Sequence, residues 1–461
     1  MIKVFNRSLP TRSILFCGME SFLIWLSVTL SLILAPLSGR PPGADGWWSA
    51  IHGLVITGIF HLVLYYADLY DFTIFPPDHR HLIRLVRVGG IGLLVFAGIS
   101  VLLPASAFPA GLRLAVIMGL LSIFLWRAIY SRLLDGVEER ILILGTQDVA
   151  RRVAQEMLKR KGLGFKVVGF LDEDARRLGE SLVNPRIIGT YDNLPTIVAR
   201  ERIDRVIIAA SERRGRLPIP ALLGARAQGV EFMEGTRFYE QVSGKVFLED
   251  IKPSGFIYAD GFNRSGFAKW SKRVTGILSS TVILIVTFPV MVLLGIAIKL
   301  DSPGPIFFRQ ERVGEEGRPF MLFKFRSMRH DAEKLTGPVW AEKDDPRVTR
   351  IGKVLRTLRL DELPQIINVL KGEMSFVGPR PERPYFVAQL SEQIPFYALR
   401  FAVKPGVTGW AQIRYPYGAS VEDAREKLRY DLFYIKNMSF FFDLWIIFQT
   451  IKIVLFGRGA R

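Results

Sequence analysis

Apolar residues form long blocks in the first 130 positions and again around residue 285. Four blocks open the chain: Ile14–Leu37, Trp48–Leu69, Leu85–Pro104 and Phe108–Tyr130. Each is long enough to cross about 30 Å of hydrocarbon as a helix. Basic residues lie before the first block, between the second and third, and after the fourth. Because basic flanks stay in the cytoplasm, the pattern predicts four transmembrane helices with both ends on that side.

Short apolar runs then alternate with polar helical segments. Strands are predicted at Arg140–Gly145, Lys166–Asp172, Arg186–Gly189, Asp204–Ala210 and Val230–Met233. A helix over Val149–Lys161 follows the first strand, and the alternation is typical of a doubly wound, Rossmann-like α/β sheet. The turn at Gly145 has Gln147 where a dinucleotide fingerprint needs its second glycine. We therefore expect this domain to serve in packing, regulation or nucleotide sensing, and we do not expect it to bind NAD.

A fifth apolar block, Val274–Leu300, has Pro289 near its middle and basic residues on both sides. Lys272 and Arg273 precede it, and Lys299 lies at its end. A crossing helix would place one basic flank outside the cell. Proline removes a backbone hydrogen bond and bends a helix. We therefore expect a re-entrant helix that kinks at the proline and returns to the same face; an ordinary span with a tolerated proline is the alternative.

The formal net charge of the 461 residues is +18, which predicts an anionic partner. No nucleic-acid motif is present and the apolar blocks are plain, so membrane lipid and phosphorylated substrates are favoured and nucleic acid is not. The single cysteine, Cys17, excludes an intramolecular disulfide and a cysteine-based zinc site. The composition does not exclude a site for a hard cation with oxygen ligands.

Two adjacent carboxylates, Asp361 and Glu362, come just before an apolar helical repeat. The repeat has i, i+3, i+4, i+7 spacing, at Leu363, Ile366, Ile367 and Leu370. Pro364 is tolerated near a helix start, where free N–H groups and the helix dipole favour a charged carboxylate. We therefore expect Asp361 to be ionised at neutral pH and suited to nucleophilic attack on phosphate. A plain helix cap is the alternative.

Basic side chains flank this pair in the sequence. An alternating segment, Phe320–Met328, presents Lys324 and Arg326 on one side. A second group precedes the pair: Arg347, Arg350, Lys353, Arg356 and Arg359. Because the planar guanidinium suits bidentate phosphate contacts, these residues are predicted to surround a diphosphate. A basic face held to anionic lipid is the alternative.

Eight short motifs lie between Lys272 and Trp410. They are Lys272-Arg273, Ser302–Pro305, Gln310–Gly314, Lys324–Met328, Leu360–Gln365, Asn368–Gly372, Ser375–Glu382 and Lys404–Trp410. Through them the stretch 269–461 resembles the bacterial sugar transferase family, the monotopic polyprenyl-phosphate phosphoglycosyl transferases. The preceding part resembles the large subgroup, which includes undecaprenyl-phosphate glucose phosphotransferases. Arg414–Ala424 and Phe456–Arg461 resemble its exosortase-associated exopolysaccharide branch.

The resemblance implies a multi-pass protein of the bacterial inner membrane in three parts. These are a four-helix transmembrane domain (1–135), a Rossmann-like α/β domain (136–262), and an α/β-type catalytic domain on a re-entrant helix (263–461), facing the cytoplasm. The chain departs from the family at Gly276, where members commonly have an acidic residue, and at Phe288, where some relatives have serine. Both departures concern the membrane anchor.

The resemblance also implies the chemistry. Asp361 would attack the sugar-linked phosphate of a UDP-sugar, release UMP, and carry the phosphosugar until undecaprenyl phosphate takes it. Mg²⁺ near the pair, touching Asp361, would neutralise the diphosphate, while Glu362 would orient or deprotonate the acceptor. The remaining predicted substrate-binding residues are Lys324, Arg326, Arg359, Arg380, Glu382, Lys404 and Asp431.

Two other functions stay as alternatives. A metal-dependent glycosyltransferase that releases UDP would need a DxD-type motif, for which Asp344-Asp345 is a weak candidate. A non-catalytic membrane scaffold or sensor would use the α/β domain, which can also serve as a homodimer surface. No motif indicates which sugar is transferred.

Overall fold

Residues Met1–Val242 and Ser243–Arg461 form two separate units. A computed structural model describes residues 2–4, 7–9, 11–34, 46–66, 70, 110–133, 138–160, 164–210, 217–250, 266–329, 332, 345–416, 418 and 420–456. Each unit has its own hydrophobic core. The division into three domains at residues 135 and 262 stays a prediction.

Three long helices occupy the apolar blocks of the first unit. A hairpin of β1 (Ile2–Val4) and β2 (Arg7–Leu9) precedes α1 (Thr11–Leu34), α2 (Gly46–Tyr66) and α3 (Ala110–Leu133). These helices agree with the first, second and fourth predicted blocks, and the third, Leu85–Pro104, falls outside the described residues. Among the residues described, only Lys269–Asp301 has both the length and the hydropathy of a membrane span. Four N-terminal crossings therefore stay a prediction.

A buried ion pair joins α1 to α3. Arg127 Nε donates to Glu20 Oε1 at 2.7 Å, and the two side chains are 5% and 0% exposed. The Tyr70 hydroxyl also donates to Glu20, and it lies 2.6 Å from Nδ1 of His61 in α2. A charge taken out of water must be compensated by its partners. The network therefore favours one rotational setting of α1 against α3.

Five parallel strands form the sheet of the first unit. They are β3 (Glu139–Leu144), β4 (Phe165–Asp172), β5 (Ile187–Thr190), β6 (Arg205–Ile208) and β7 (Glu231–Glu234), in the order β5-β4-β3-β6-β7. The helices beside them are α4 (Asp148–Lys159), α5 (Leu194–Glu201), α6 (Ile219–Ala227) and α7 (Gly235–Ser243). The predicted doubly wound α/β sheet is confirmed, with every strand end within two residues of its expected position.

The turn after β3 packs tightly against the chain that follows β6. Gly145 has φ +108°, and a Cβ there would lie 2.7 Å from the Ala210 backbone nitrogen, so glycine is required. Asp172, at the end of β4, already accepts hydrogen bonds from Thr146 and Arg177. The residues at this edge are therefore engaged with one another, and the absence of NAD binding stays a prediction.

The second unit combines a long helix with a mixed α/β body. It contains α8 (Gly266–Asp301), the antiparallel hairpin β8 (Phe307–Val313) and β9 (Pro319–Phe325), α9 (Arg350–Thr357), α10 (Gln365–Lys371), β10 (Ser375–Val377), α11 (Pro384–Gln393), β11 (Gly406–Thr408), α12 (Trp410–Arg414), α13 (Val421–Lys436) and α14 (Phe440–Phe456). Strands β10 and β11 pair in parallel. A core of buried aromatic and aliphatic side chains, including Trp410, Leu428 and Phe442, lies under α13 and α14.

Both ends of α8 are bonded to this second unit. Near its start, Arg273 donates to two carbonyls of α10 at 2.5 and 2.8 Å. Near its end, the Ile298 carbonyl accepts from Arg326 at 3.2 Å, and Asp301 accepts from the first turn of α9 at 3.3 Å. The stretch between these anchors exposes apolar side chains, such as Val286 at 70%. Hydrogen bonds thus hold both ends of α8, and apolar side chains of its middle stretch are exposed.

Replacing Arg127 with glutamine should lower the free energy of unfolding by about 3–5 kcal/mol, because the Glu20 carboxylate would stay buried without its cation. Chemical unfolding in detergent micelles measures the change. The double variant Glu20→Gln/Arg127→Gln should recover most of the loss, since no charge is then left unpaired. A loss below about 1 kcal/mol in the single variant would contradict the buried ion pair.

Candidate active site

A cleft of about 1360 Å³ in the second unit brings most of the predicted site residues together. Its acidic side chains are Asp345, Asp361, Glu362, Glu382 and Asp431, and fifteen lysines and arginines share the wall with them. Such a threefold excess of positive charge in a concave surface concentrates anions. The cleft is therefore suited to a phosphorylated ligand.

The carboxylate pair lies in a 3₁₀ turn, Leu360–Glu362, just before α10, as the position of Pro364 predicted. Leu360 and Leu363 pack against a cluster formed by Ile298 of α8, Phe325 of β9 and Leu355 of α9. This packing places the turn against the neighbouring helix α9 and against α8 and β9, which are distant in sequence. The two carboxylates consequently share one local backbone but meet different surroundings.

Two cations hold Glu362. Lys324 Nζ, at the end of β9, donates to Oε1 at 3.1 Å, and Arg380 donates to both carboxylate oxygens, with Nη1 3.3 Å from Oε2. Burial alone would raise the pKa of Glu362, but the charges of Arg380 and Lys324 outweigh it and hold that pKa below its usual range. Glu362 is therefore ionised at neutral pH, and its oxygens are occupied.

Asp361 is only 9% exposed and accepts no hydrogen bond from the residues that the structure describes. Burial raises its pKa, the charge of Glu362 adds to the rise, and Lys324 opposes it. Burial thus shifts the equilibrium of Asp361 toward its neutral form, and the expectation that Asp361 is ionised at neutral pH stays a prediction. Helix α10 begins at Gln365, four residues after Asp361. Asp361 is left as a desolvated carboxyl group whose oxygens are available to a ligand.

The other predicted phosphate ligands fall into two groups. Arg359 lines the cleft, and burial lowers the pKa of its guanidinium. Arg326 also lines the cleft, but it donates to carbonyls between residues 298 and 303 at 2.7–3.2 Å. Lys404 donates to the Gly372 carbonyl at 2.8 Å and lies outside the described cleft wall. Arg326 and Lys404 hold backbone in this structure, and their roles as substrate ligands stay predictions.

The remaining acidic candidates have basic partners of their own. Asp431 is 2% exposed and accepts from Arg400 at 2.9 Å; burial raises its pKa to about 6 against the opposing charge of Arg400. Glu382 lies 3.6 Å from Nη1 of Arg312. Sequence reasoning missed Arg400 and included Arg312 only as part of the Gln310–Gly314 motif. The only sequence signal for Arg400 is its place four residues before the Lys404-Pro-Gly motif.

The described residues include no cluster of three or more His, Cys, Asp or Glu side chains that could hold a metal. Asp361 nevertheless fits Mg²⁺, because its oxygens accept no hydrogen bond from the described residues. Protein-bound Mg²⁺ usually has one or two carboxylates and completes its shell with water and substrate phosphates. The donor set is thus consistent with a cation that binds together with a diphosphate.

The rival metal motif is less suited to a metal. Asp345 is buried and accepts from Arg347 at 2.6 and 2.8 Å. Those hydrogen bonds lower its pKa and occupy its oxygens. Asp344 falls outside the described residues.

Comparison with known proteins gives concordant matches. Residues 267–457 match the bacterial sugar transferase family. An undecaprenyl-phosphate glucose phosphotransferase of Komagataeibacter xylinus is 32% identical over 417 residues, which cover 85% of this chain and 74% of that protein. A UDP-N-acetylgalactosamine-undecaprenyl-phosphate N-acetylgalactosaminephosphotransferase of Aeromonas hydrophila is 48% identical over 190 residues, or 41% of this chain and 45% of that protein. The exopolysaccharide production protein PSS of Rhizobium leguminosarum bv. phaseoli is 43% identical over 185 residues, or 39% of this chain and 92% of that protein.

A concave, cationic cleft around an available carboxyl group is suited to an enzyme that acts on a phosphorylated substrate. The chain belongs to the bacterial sugar transferase family, since the match to the Komagataeibacter protein extends over most of both chains. The predicted resemblance is confirmed. Relatives are named as undecaprenyl-phosphate sugar phosphotransferases, which is consistent with a phosphotransferase enzyme, although the Aeromonas alignment spans less than half of that protein.

Asp361→Asn should raise the free energy of unfolding at pH 7 by on the order of 1 kcal/mol. The folded-state pKa of Asp361 lies above its unfolded value, so the ionised carboxylate opposes folding at neutral pH and asparagine removes that opposition. The gain should shrink as the pH falls through the folded pKa toward the unfolded value of about 4. Chemical unfolding across a pH series measures it.

Glu362→Gln provides the opposite control. The folded pKa of Glu362 is lowered, so its ionised form stabilises the protein above the unfolded pKa of about 4.3. The substitution should therefore destabilise the protein at pH 7, and the loss should diminish as the pH falls below that value. The same sign of effect for both substitutions would contradict the opposite pKa shifts.

Proposed function

We propose that this protein transfers a sugar-1-phosphate from a UDP-sugar to undecaprenyl phosphate through a covalent intermediate on Asp361, and so starts an exopolysaccharide or another lipid-linked glycan. The proposal rests chiefly on the contrast within the carboxylate pair. Glu362 is held by Lys324 and Arg380, whereas Asp361 accepts no hydrogen bond from the described residues. The printed names of the relatives support the substrate classes.

In the first step, an oxygen of ionised Asp361 attacks the phosphorus that carries the sugar. A P–O bond forms to the carboxylate, the bond from that phosphorus to the bridging oxygen breaks, and UMP leaves with the oxygen and its electron pair. Desolvation makes the Asp361 carboxylate more basic than usual, which favours it as a nucleophile. Lys324 and Arg380 lie beside the pair and stabilise charge on the transferred phosphoryl group.

In the second step, a phosphate oxygen of undecaprenyl phosphate attacks the same phosphorus. The bond to Asp361 breaks, the carboxylate is released, and a polyprenyl diphospho-sugar forms. Glu362 has a lowered pKa and is paired with two cations, so it is a poor base at neutral pH. We therefore assign Glu362 to orienting Lys324 and Arg380 for the incoming phosphate.

Mg²⁺, when bound, would neutralise diphosphate charge and stabilise the leaving phosphate of UMP. Asp361 is the residue that we assign to hold it, with substrate oxygens as further ligands. Lysines and arginines of the cleft wall other than Arg326 and Arg400 neutralise the remaining negative charge of the two phosphorylated substrates.

We also propose that the protein lies in the bacterial inner membrane, with four N-terminal crossings and with α8 anchoring the second unit to the cytoplasmic leaflet. A helix that crossed the roughly 30 Å hydrocarbon core would carry its ends to opposite sides. Arg273 and Asp301, near the two ends of α8, are bonded to the same folded unit, which supports re-entry. Pro289 lies between them and lacks the N–H group that would resist a bend.

The alternatives have less support. Glycosyl transfer with release of UDP would draw on Asp345, which is engaged by Arg347. A non-catalytic scaffold would give no use to the desolvated carboxyl group in a cationic cleft. The names of the relatives include both glucose and N-acetylgalactosamine, so the donor sugar must come from experiment. A homodimer formed through the α/β sheet stays a prediction.

A panel of UDP-sugars, supplied with undecaprenyl phosphate and Mg²⁺, should release UMP from at least one hexose donor. Asp361→Asn should lower UMP release by about 1,000-fold or more and form no phosphosugar adduct, because the amide oxygen is a poor nucleophile. Luminescent UMP detection and intact-protein mass spectrometry measure the two results. Asp174→Asn, at a half-buried carboxylate just after β4 in the other unit, is the control and should retain full activity. Release of UDP, or an active Asp361→Asn variant, would refute the reaction.

Cysteine labelling tests the anchor in a Cys17→Ser background. Lys269→Cys precedes the apolar stretch of α8, and Glu316→Cys follows it, and both positions are exposed. A membrane-impermeant maleimide should label both in inside-out vesicles and neither in right-side-out spheroplasts, because a re-entrant helix returns to its side of entry. Labelling of the two cysteines from opposite sides would instead establish a crossing helix.

A further inference from the structure

We propose that Arg400 is a positioning residue, which holds the main chain of Arg380 so that the Arg380 guanidinium can fix Glu362 beside the nucleophile. The inference rests on the proposed function and adds to it a residue outside the carboxylate pair. Arg400 lies in the 3₁₀ segment Tyr397–Ala402 and is only 6% exposed. Its Nη2 donates to the Arg380 carbonyl at 2.9 Å.

The turn that contains Arg380 is held mainly by its carbonyl groups. Pro379 and Pro381 flank Arg380 and have no N–H to donate, so they cannot join a backbone ladder. The Pro379 carbonyl accepts from the Gly406 backbone at 2.9 Å, and the Pro381 carbonyl accepts from Arg312 at 3.0 Å. Arg400 holds the carbonyl between them. A guanidinium makes a charge-assisted bond, which is stronger than a neutral one.

The position of the Arg380 carbonyl group determines where the Arg380 guanidinium lies relative to Glu362. The Arg380 side chain extends from the same residue and donates to both oxygens of Glu362. A main-chain shift of about 1 Å would move the guanidinium off the carboxylate, and misplacement of that size can cost about 100-fold in rate. Glu362 would then lose its arginine hydrogen bonds and keep Lys324 at 3.1 Å, together with the nearby charge of Arg359.

Arg400 does more than balance a charge. Besides the Arg380 carbonyl, it donates to Asp431 at 2.9 Å and to the Tyr397 hydroxyl at 2.6 Å. Two of these three acceptors are neutral, and they lie on different elements. A planar, multidentate guanidinium can join all three, whereas the compact ammonium group of lysine cannot. Asp431, which the sequence suggested as a substrate ligand, thereby serves to orient Arg400.

Arg400→Gln should lower kcat about 100-fold and change the donor KM by less than about threefold, because Arg400 acts on the reacting geometry and not on the substrate. That variant leaves Asp431 buried without its cation, so the deciding variant is Arg400→Gln/Asp431→Asn, which removes both charges. Positioning predicts a wild-type melting temperature for the double variant, with kcat still about 100-fold low. Recovery of wild-type kcat would show that Arg400 only neutralises Asp431 and would overturn the inference.

Arg400→Lys provides a second test, because it keeps the positive charge opposite Asp431 and loses the planar, multidentate guanidinium. Positioning predicts a folded protein with low kcat, and wild-type kcat would again overturn it. Arg425→Gln is the matched control. Arg425 is 39% exposed on α13, pairs with Glu422 at 3.5 Å, and should leave kcat unchanged.

A structure of the double variant separates this inference from the proposed reaction. Positioning predicts that the Arg380 guanidinium no longer lies within hydrogen-bond distance of Glu362, whether or not the protein turns over. If the wild-type protein releases no UMP, the proposed function fails, and the Arg380–Glu362 geometry still decides the role of Arg400. If Arg380 keeps its bonds to Glu362 in the double variant, the inference fails even when the wild type releases UMP.

Discussion

The pairing of Glu362 with Lys324 and Arg380 is the interaction on which the site depends. Two adjacent carboxyl groups in a desolvated cleft oppose each other's ionisation, and both pKa values would rise without compensation. The two cations bond to Glu362 and not to Asp361, so Glu362 stays charged while the pKa of Asp361 rises. The carboxyl groups of Asp361 and Glu362 therefore have pKa values that are shifted in opposite directions. Tertiary contacts determine this difference.

Those contacts require three segments to meet, and buried polar side chains bring them together. Asn368 of α10 is fully buried; it donates to the Met321 carbonyl at 2.7 Å and accepts from the Phe323 backbone at 3.0 Å. This amide fixes β9, and therefore Lys324, against the helix that follows the carboxylate pair. On the other side, β10 and β11 approach so closely that a Cβ on Gly406 would lie 2.1 Å from the Gly378 nitrogen. The glycine allows the segment with Arg380 to reach Glu362.

Local sequence patterns predicted the features that local physics decides. The strands of the α/β sheet, the apolar block of α8 and the place of the pair just before α10 follow from periodicity and from proline. The raised pKa of Asp361 did not follow, because its burial depends on tertiary packing: the flanking Leu360 and Leu363 pack against a cluster that includes Ile298 and Phe325, which are distant in sequence. The carbonyl groups that accept hydrogen bonds from Arg326 and Lys404 could not be predicted from the sequence either. A motif shows that an arginine or lysine is present, but only the fold shows whether it faces a ligand or a carbonyl.

The cleft and the apolar helix share their boundary, and this bears on how a lipid-borne phosphate would reach the site. Lys299, in the last turn of α8, lines the cleft, and its neighbour Leu300 is 82% exposed. Phe307, at the start of β8, also lines the cleft and is 42% exposed. A ligand with an apolar tail and an anionic head would find apolar surface and positive charge within a few residues of each other. Under the proposed function, the acceptor could meet Asp361 without its tail leaving the membrane. This accounts for the joining of a bare apolar helix and a cationic cleft in one folded unit.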